Sequence, residues 1–536
     1  MAITKTCGQA LVELLKNYGV DTIFGIPGVH TIELYRGLEN AGLKHVTPRH
    51  EQGAGFMADG FARVTGKPGV CFIITGPGMT NIVTAMGQAL QDSIPMLVIS
   101  SVNRTHQLGM GEGRLHELPH QHGLTSQVCR FSHTLLSADN LPKVLAQAFS
   151  VFSSQRPGPV HIEIPLDVLA QDASHLDVSA WPLPAPPGPN PTAIAEAAEL
   201  LNAAECPLMI LGGGAKQAGA AAQALAERLD MPVINTCNAK GVMAKDHPLW
   251  VGSTPSHPAI RNAMEKQADV VIAVGTELAE TDYDFFFLGD VAIQGKVIRV
   301  DIDPAQLLRN HRADVAVYAD AKLALEAIAE QLPAGANGAG ASRVTALRAA
   351  VTDVKKARYT AFFDVIDEVL GECVIVGDST QPAYYAQAYY ETAAPGRYFH
   401  STTGYGTLGY AFPAAIGAAI GAGNMPVIGL TGDGGGQFSL NEIITAVENQ
   451  VPVIYVVWNN TGHGEIRRFM DDASVAREGV NIAPPDYQAL AESMGCKAYQ
   501  ADNLEQFAAA LKAAKQGGTT ALINVSEEGL KAGYAF

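Results

Sequence analysis

Gly432-Asp433-Gly434 and, one β-type run later, Asn459-Asn460 have the types and spacing to hold a divalent cation. Residues 427–431 read as a buried strand that stops at a glycine turn, leaving the Asp433 carboxylate free at the carboxyl end of a sheet. Residues 453–458 read as the next strand and deliver Asn459 and Asn460 to the same edge. A hard, oxygen-seeking cation such as Mg²⁺ would find Asp433, the Asn460 amide oxygen and a main-chain carbonyl near Gly462, with diphosphate oxygens filling the rest of its octahedron. An ordinary strand and loop with Asn-Asn in a turn is the structural alternative; the pair at this spacing between two strands favours the site. Between them, residues 439–448 read as a helix with Ser439 as N-cap and Glu442 at the capping-box position.

These groups need a sheet to position them, and the chain supplies more than one. Its 536 residues exceed one core, and length predicts about three domains. Prolines across 181–191 impose an extended connection, and the Gly and Ala alternation of 333–342 reads as a flexible second linker. The expected domains are therefore 1–180, 191–332 and 343–536. In each, short β-branched runs alternate with alanine-rich helical stretches, as at 70–75, 160–164, 270–274 and 374–376. That alternation predicts an α/β protein of three doubly wound parallel sheets. In the middle piece, residues 208–214 form a strand ending in Gly212-Gly213-Gly214, a weak nucleotide signal beside which a purely structural domain is the favoured reading.

A net charge of −17 argues against nucleic acid or an anionic membrane as partner. The seven cysteines are scattered without a CxxC pair, which suits a reduced setting. The start lacks a basic segment followed by an apolar run, and no long apolar stretch suits a membrane helix, so a cytoplasmic location is expected.

Two further blocks join the Asp433 and Asn460 pair. One is the run from Arg49-His50-Glu51 to Ala62-Arg63, preceded by Phe24-Gly25-Ile26-Pro27-Gly28; the other is Gly404-Tyr405-Gly406-Thr407-Leu408-Gly409-Tyr410 and its alanine-rich continuation. Together they resemble the thiamine diphosphate enzymes of the acetolactate synthase, pyruvate oxidase and 2-oxo-acid decarboxylase superfamily, over almost the whole chain. The resemblance implies pyrimidine-binding, central and diphosphate-binding domains, with thiamine diphosphate and Mg²⁺ as cofactors. Glu51 becomes the glutamate that activates the cofactor, Leu408 the wedge between its rings, and Gly406 the carbonyl that accepts from its amino group. Pro27, Gly28, Pro77 and Asn81 fall on the pyrimidine side. Ser379 and Thr380, at a helix start, suit diphosphate oxygens, although a simple N-cap is an equal reading. Gly432, Asp433, Gly434 and Gly435 form the diphosphate and metal loop, and Asp433, Asn460 and Gly462 are the metal ligands. Flavin-binding relatives carry an Arg-Phe-Asp-Asp type stretch where this chain has residues 275–280, so FAD is not expected. Because the activating glutamate and the diphosphate clamp lie in different domains, the resemblance implies a homodimer or homotetramer with shared sites.

The substrate is a small 2-oxo acid in this reading. Residues 115–122 fall near a paired-histidine loop of some decarboxylases, which makes His116 a candidate proton donor and His120 a neighbour; a plain polar loop is the alternative. Val29 stands where pyruvate decarboxylases carry an acid, with His30 beside it. Glu277 and Phe469 stand where acetolactate synthases use an arginine and a tryptophan to seat a second oxo acid. Glu465 replaces an apolar pocket residue and would suit a cationic tail, while pairing with Arg467 or Arg468 is the competing reading. The blocks at 24–38 and 49–63 look most like 5-guanidino-2-oxopentanoate decarboxylases. The expected activity is decarboxylation of a 2-oxo acid, guanidino or otherwise polar, to an aldehyde; the alternatives are a carboligase of acetolactate synthase or acetyltransferase type and a non-catalytic cofactor-binding relative.

Overall fold

The computed structural model describes residues 5–333, 339–351 and 354–533. Three sheets of six strands each organise the chain. The first runs Lys44–Val46, Thr22–Gly25, Gly69–Ile73, Met96–Val102, Pro159–Pro165, Phe131–Thr134, and all its neighbours pair parallel. Its inner strands are buried at every position, so they are continuous apolar runs rather than alternating ones. The second sheet has the order Val315–Tyr318, Lys296–Asp301, Val270–Val274, Pro207–Leu211, Val233–Asn235, Trp250–Gly252, also parallel. At its switch point the glycine turn after Leu211 lies directly on Gly275, with Gly214 N donating to Gly275 O at 3.0 Å. In the third sheet Val374–Gly377, Val427–Gly432, Val453–Asn459, Ala521–Ser526 and Lys497–Ala501 are parallel neighbours in that order. The chain is thus the α/β, parallel-sheet protein that its alternating pattern predicts.

By contacts the chain forms two units: Met1–Ala185 with Cys373–Thr380 and Gly404–Gly529, and Pro186–Glu372 with Gln381–Thr403 and Leu530–Phe536. The proline-rich connection is free of helix and strand as far as Asn190, and Pro191 then opens the helix Pro191–Ala203, where its missing N–H costs nothing. Of the glycine-alanine linker, residues 334–338 lie outside the described residues; Gly340–Ala350 is helix rather than the flexible linker expected there. The Gly340 amide donates to the Asp230 carboxylate at 2.5 Å and Arg343 donates to Pro207 O at 3.0 Å, so tertiary bonds override a glycine-rich composition.

The first unit contains the first sheet and five strands of the third, and the helices Glu51–Thr65 and Ala411–Ala422 pack on one another within it. The approach is backbone to backbone: a Cβ on Gly60 would collide with Ala414 O, and one on Gly417 with Met57 O. Beside this crossing lies a buried charge cluster. Arg63 pairs with Asp59 and with Asp92, each at 2.6 Å, and the Tyr410 hydroxyl donates to Asp59. Burial pushes the Asp59 carboxyl up, and the adjacent guanidinium opposes it.

One local expectation fails. The helix after the Asp433 turn spans Glu442–Glu448, and Ser439 does not cap it; the Ser439 hydroxyl donates to Gly409 O at 2.7 Å. The Glu442 carboxylate turns away from its own helix end to accept from Arg49 N. A long-range donor outcompetes the local capping box.

Glycine-to-alanine changes inside helices usually stabilise by up to about 1 kcal/mol. At Gly60 and Gly417 the sign should reverse, with a loss of about 1–3 kcal/mol from overpacking. Gly188→Ala, where a Cβ meets nothing within 4 Å, should change stability by less than about 0.5 kcal/mol. Urea unfolding midpoints of the three variants check this, and a neutral Gly417→Ala would refute the crossing.

Candidate functional site

Strands Val427–Gly432 and Val453–Asn459 are parallel neighbours with Gly432 opposite Trp458, so both exit loops leave one sheet edge. Asp433 opens the short turn Asp433–Gly436 and is fully buried. Its Oδ1 accepts from Asn460 N at 3.0 Å and its Oδ2 from Gly462 N at 2.8 Å, which ties the second loop to the first. Burial pushes this carboxyl up, while the two amides favour its charged form. Asn460 Oδ1 is buried and accepts no hydrogen bond in the chain, an expensive state for an amide oxygen. Small residues close the space around it. A Cβ on Gly434 would lie 2.8 Å from His463 Nδ1 and 3.1 Å from Gly462 O, and one on Gly464 would strike the Asn460 amide.

A carboxylate, an orphaned amide oxygen and the Gly462 carbonyl form an all-oxygen donor set, which fits Mg²⁺ sharing its sphere with phosphate oxygens. No cluster of three or more His, Cys, Asp or Glu suited to a metal occurs among the described residues. Three side chains missed by the sequence reading support the loop. Tyr487 OH and Gln437 Nε2 donate to Asp433 O at 2.9 and 3.1 Å, and Arg467 Nη2 donates to Asn460 O at 2.9 Å. Tyr487 and Arg467 arrive from helices beyond the loop, whereas Gln437 closes the Asp433–Gly436 turn itself.

The other diphosphate-side residues gather at the same edge. Thr380 Oγ1 is 3.2 Å from a Cβ built on Gly432, and Leu408 Cδ2 is 3.1 Å from one built on Gly435. Gly406 is exposed with φ +73°, and Thr407 beside it donates its hydroxyl to Gln88 Oε1 at 2.9 Å. Asp378, also overlooked as a site residue, is buried here and accepts from Ser379 N at 2.8 Å and Thr431 Oγ1 at 3.2 Å. Burial pushes its carboxyl up to about 6. A carboxylate directly after the strand Val374–Gly377 is the signal that would have found it, as it found Asp433.

At the carboxyl edge of the first sheet, Glu51 is the first residue of the helix Glu51–Thr65, and its Oε2 accepts from Asn81 Nδ2 at 2.9 Å. Asn81 lies on the helix Pro77–Gln91, whose N1 residue is Pro77, and a Cβ on Gly78 would sit 3.4 Å from Glu51 Oε1. Gly76 (φ +68°) donates its amide to Gln121 Oε1 at 2.9 Å and leaves room for His116 O. His116 itself has φ +58°, a costly conformation for a side chain of this type. Its ring meets His30 edge to face at 5.2 Å between centroids. His30 is buried with Nδ1 unpaired, and burial, then the neighbouring His116, lowers its pKa. Gly28 N donates to Thr31 Oγ1 at 2.9 Å in the turn after Pro27. Val29 is exposed, and the exposed His120 ring lies against Gly123 rather than His116. Glu465 and Phe469 share the helix Gly464–Asp472, where Glu465 Oε1 accepts from Arg468 Nη2 at 2.5 Å and the Arg468 guanidinium lies 4.5 Å over the Phe469 ring.

Family models match the chain in three consecutive stretches: the thiamine pyrophosphate enzyme N-terminal TPP binding domain over residues 5–128, the central domain over 194–328, and the C-terminal TPP binding domain over 378–525. A probable 2-ketoarginine decarboxylase of Pseudomonas aeruginosa is 46% identical, covering 96% of this chain and 93% of its own length. A probable acetolactate synthase large subunit of Methanocaldococcus jannaschii is 32% identical over 91% of this chain and 86% of its own. The acetolactate synthase isozyme 1 large subunit of Escherichia coli is 31% identical over 86% and 83%.

If the orphaned amide oxygen is a cation ligand, Asn460→Ala should weaken Mg²⁺-dependent thiamine diphosphate binding by about 1.5–3 kcal/mol, the range for bonds to charged groups. Titration calorimetry at fixed Mg²⁺ checks it, and wild-type affinity would remove Asn460 from the donor set.

Proposed function

From the plain fact that this chain belongs to the thiamine pyrophosphate enzyme family, we propose that it is a thiamine diphosphate and Mg²⁺ dependent decarboxylase of a 2-oxo acid with a guanidino tail, releasing CO₂ and the corresponding aldehyde. The observation that carries the cofactor half is the buried, partnerless Asn460 Oδ1 set beside Asp433 and Gly462. The substrate half is supported by the 46% identical relative that is named for 2-ketoarginine.

When bound, the cofactor supplies an electron sink for the carbanion left by CO₂. Asp433, Asn460 and Gly462 would hold the cation, and Ser379 and Thr380 stand where they can meet the diphosphate. Glu51 would hold a proton against a ring nitrogen: the Asn81 amide fixes Oε2, which leaves Oε1 beside Gly78 for the exchange. His116, whose ring meets that of His30, would return a proton to the product carbon. Glu465 already binds a guanidinium, that of Arg468, in a partly exposed pair. Such a pair is worth about 0–1 kcal/mol, so a substrate guanidinium can exchange into it cheaply. The reading includes a homodimer or homotetramer whose subunits share active sites.

The acetolactate synthase relatives support a second reading, ligation of the same carbanion to an acceptor carbonyl. Product analysis separates the two: an aldehyde alone supports decarboxylation, and a hydroxyketone as main product supports ligation.

Glu51→Gln should keep cofactor affinity and slow turnover by about 10²–10⁴-fold, the usual worth of a positioned proton-transfer group; wild-type turnover would remove Glu51 from the mechanism. Glu465→Gln should lower kcat/KM for the guanidino oxo acid by about 1.5–3 kcal/mol and leave pyruvate nearly unchanged. Equal losses on both substrates would discard Glu465 as the tail-binding group.

A further inference from the structure

Glu442 is 1% exposed, and its carboxylate serves a different helix from its own. Oε1 and Oε2 lie 3.0 and 3.1 Å from Arg49 N, and Oε2 also accepts from Thr445 Oγ1 at 2.7 Å. Arg49 stands two residues ahead of Glu51, at the entry of the helix Glu51–Thr65, where unpaired amides and the helix dipole favour an anion. The third residue of that helix is Gly53, and a Cβ there would come 2.8 Å from Glu442 Cδ. The first turn is therefore shaped to admit this carboxylate.

We propose that Glu442 is a positioning residue for Glu51: its ionised carboxylate grips the main chain at Arg49 and fixes the turn that presents Glu51, and taking up a proton loosens that turn. The proposal rests on the reading of Glu51 as the proton-handling group.

The surroundings make the grip titratable. Burial pushes the Glu442 carboxyl up to about 7, against the lowering effect of Thr445, Arg49 and the His50 amide. The polar, charged and titratable groups that act on it lie on three elements among the described residues: its own helix, the entry segment and one strand. On the entry segment, the Arg49 guanidinium is held by Thr47 O and Glu448, and the His50 ring by Gln52 N. On the strand Val453–Asn459, the Tyr455 hydroxyl donates to Phe412 O at 3.2 Å. The helix Ala411–Ala422 has no titratable side chain.

Because the folded protein binds this proton more tightly than the unfolded chain does, the stability contributed by Glu442 falls as pH rises from the ordinary glutamate range to about 7. Ionisation is thus maintained at a cost to stability, which is offset by a rigid Glu51 turn. Activity should run the other way and decline as pH falls through that value.

The test uses the full-length enzyme loaded with thiamine diphosphate and Mg²⁺. Glu442→Gln should lower kcat about tenfold at alkaline pH, equivalent to about 1.4 kcal/mol. Its KM and cofactor affinity should stay within about twofold of wild type. Its kcat should also lose the acid limb near neutrality, and Glu442→Asp, which keeps the charge, should restore part of that limb. Amide hydrogen exchange over residues 47–55, corrected for intrinsic rates, should show wild-type protection falling as pH falls through neutrality and Glu442→Gln unprotected throughout. A wild-type kcat profile in Glu442→Gln, or wild-type protection that ignores pH, overturns the proposal. Should Glu442→Gln not fold, the wild-type exchange profile alone decides. If no 2-oxo acid yields aldehyde at any pH, the decarboxylase reading fails, while the exchange comparison still judges the grip.

Discussion

The contact on which the catalytic unit depends is the backbone crossing of Glu51–Thr65 and Ala411–Ala422. With Gly60 against Ala414 O and Gly417 against Met57 O, the two helix axes come closer than any side chain allows. That closeness sets what surrounds it. The Tyr410 hydroxyl reaches Asp59, the Thr407 hydroxyl reaches Gln88, and the Glu442 carboxylate reaches Arg49 N. Each bond joins a residue of the first sheet's helices to one that follows the third sheet's strands or leads into the second helix. A looser crossing would leave several buried polar groups unpaired at once, and that penalty exceeds the weakening of the apolar packing itself.

Three buried carboxylates of this unit accept from main-chain amides. Asp433 accepts from Asn460 N and Gly462 N, Asp378 from Ser379 N and Glu442 from Arg49 N. In all three, burial pushes the carboxyl up and backbone donors push it back. Amides cannot rotate away as a lysine or arginine can, so a carboxylate held this way also fixes the loop that carries the amide. The bonds that hold Asp433 also fix the loop that carries Asn460, whose side-chain oxygen is left unpaired. Arg63, bound by Asp59 and Asp92, is the contrasting case, a buried charge neutralised by side chains.

The parallel sheets were legible in the sequence because a strand covered on both faces must be apolar throughout, and runs such as 270–274 and 453–458 announce this without help from the rest of the chain. Asp433 and Asn460 were legible for a related reason. A polar residue directly after such a run has to emerge at the carboxyl edge of the sheet, where α/β proteins place their ligands. The same rule applies to Asp378, whose role as a hub for Ser379 N and Thr431 shows only in three dimensions.

Residue order by itself determined the fold class and the family's characteristic blocks, because strand period, glycine turns and loop polarity are local properties. Tertiary structure alone decided where long-range donors outcompete local ones. Ser439 and Glu442 have the spacing of a capping box, yet Arg49 N, nearly four hundred residues away in sequence, takes the carboxylate. Glu465 is the opposite case, since its carboxylate stays with Arg468 one turn along the same helix, a local pair open to sequence reading. Spacing states which partners a side chain can reach along its own backbone; only the packed chain states which other donors arrive first, and a buried carboxylate goes to the donors that best replace its lost water.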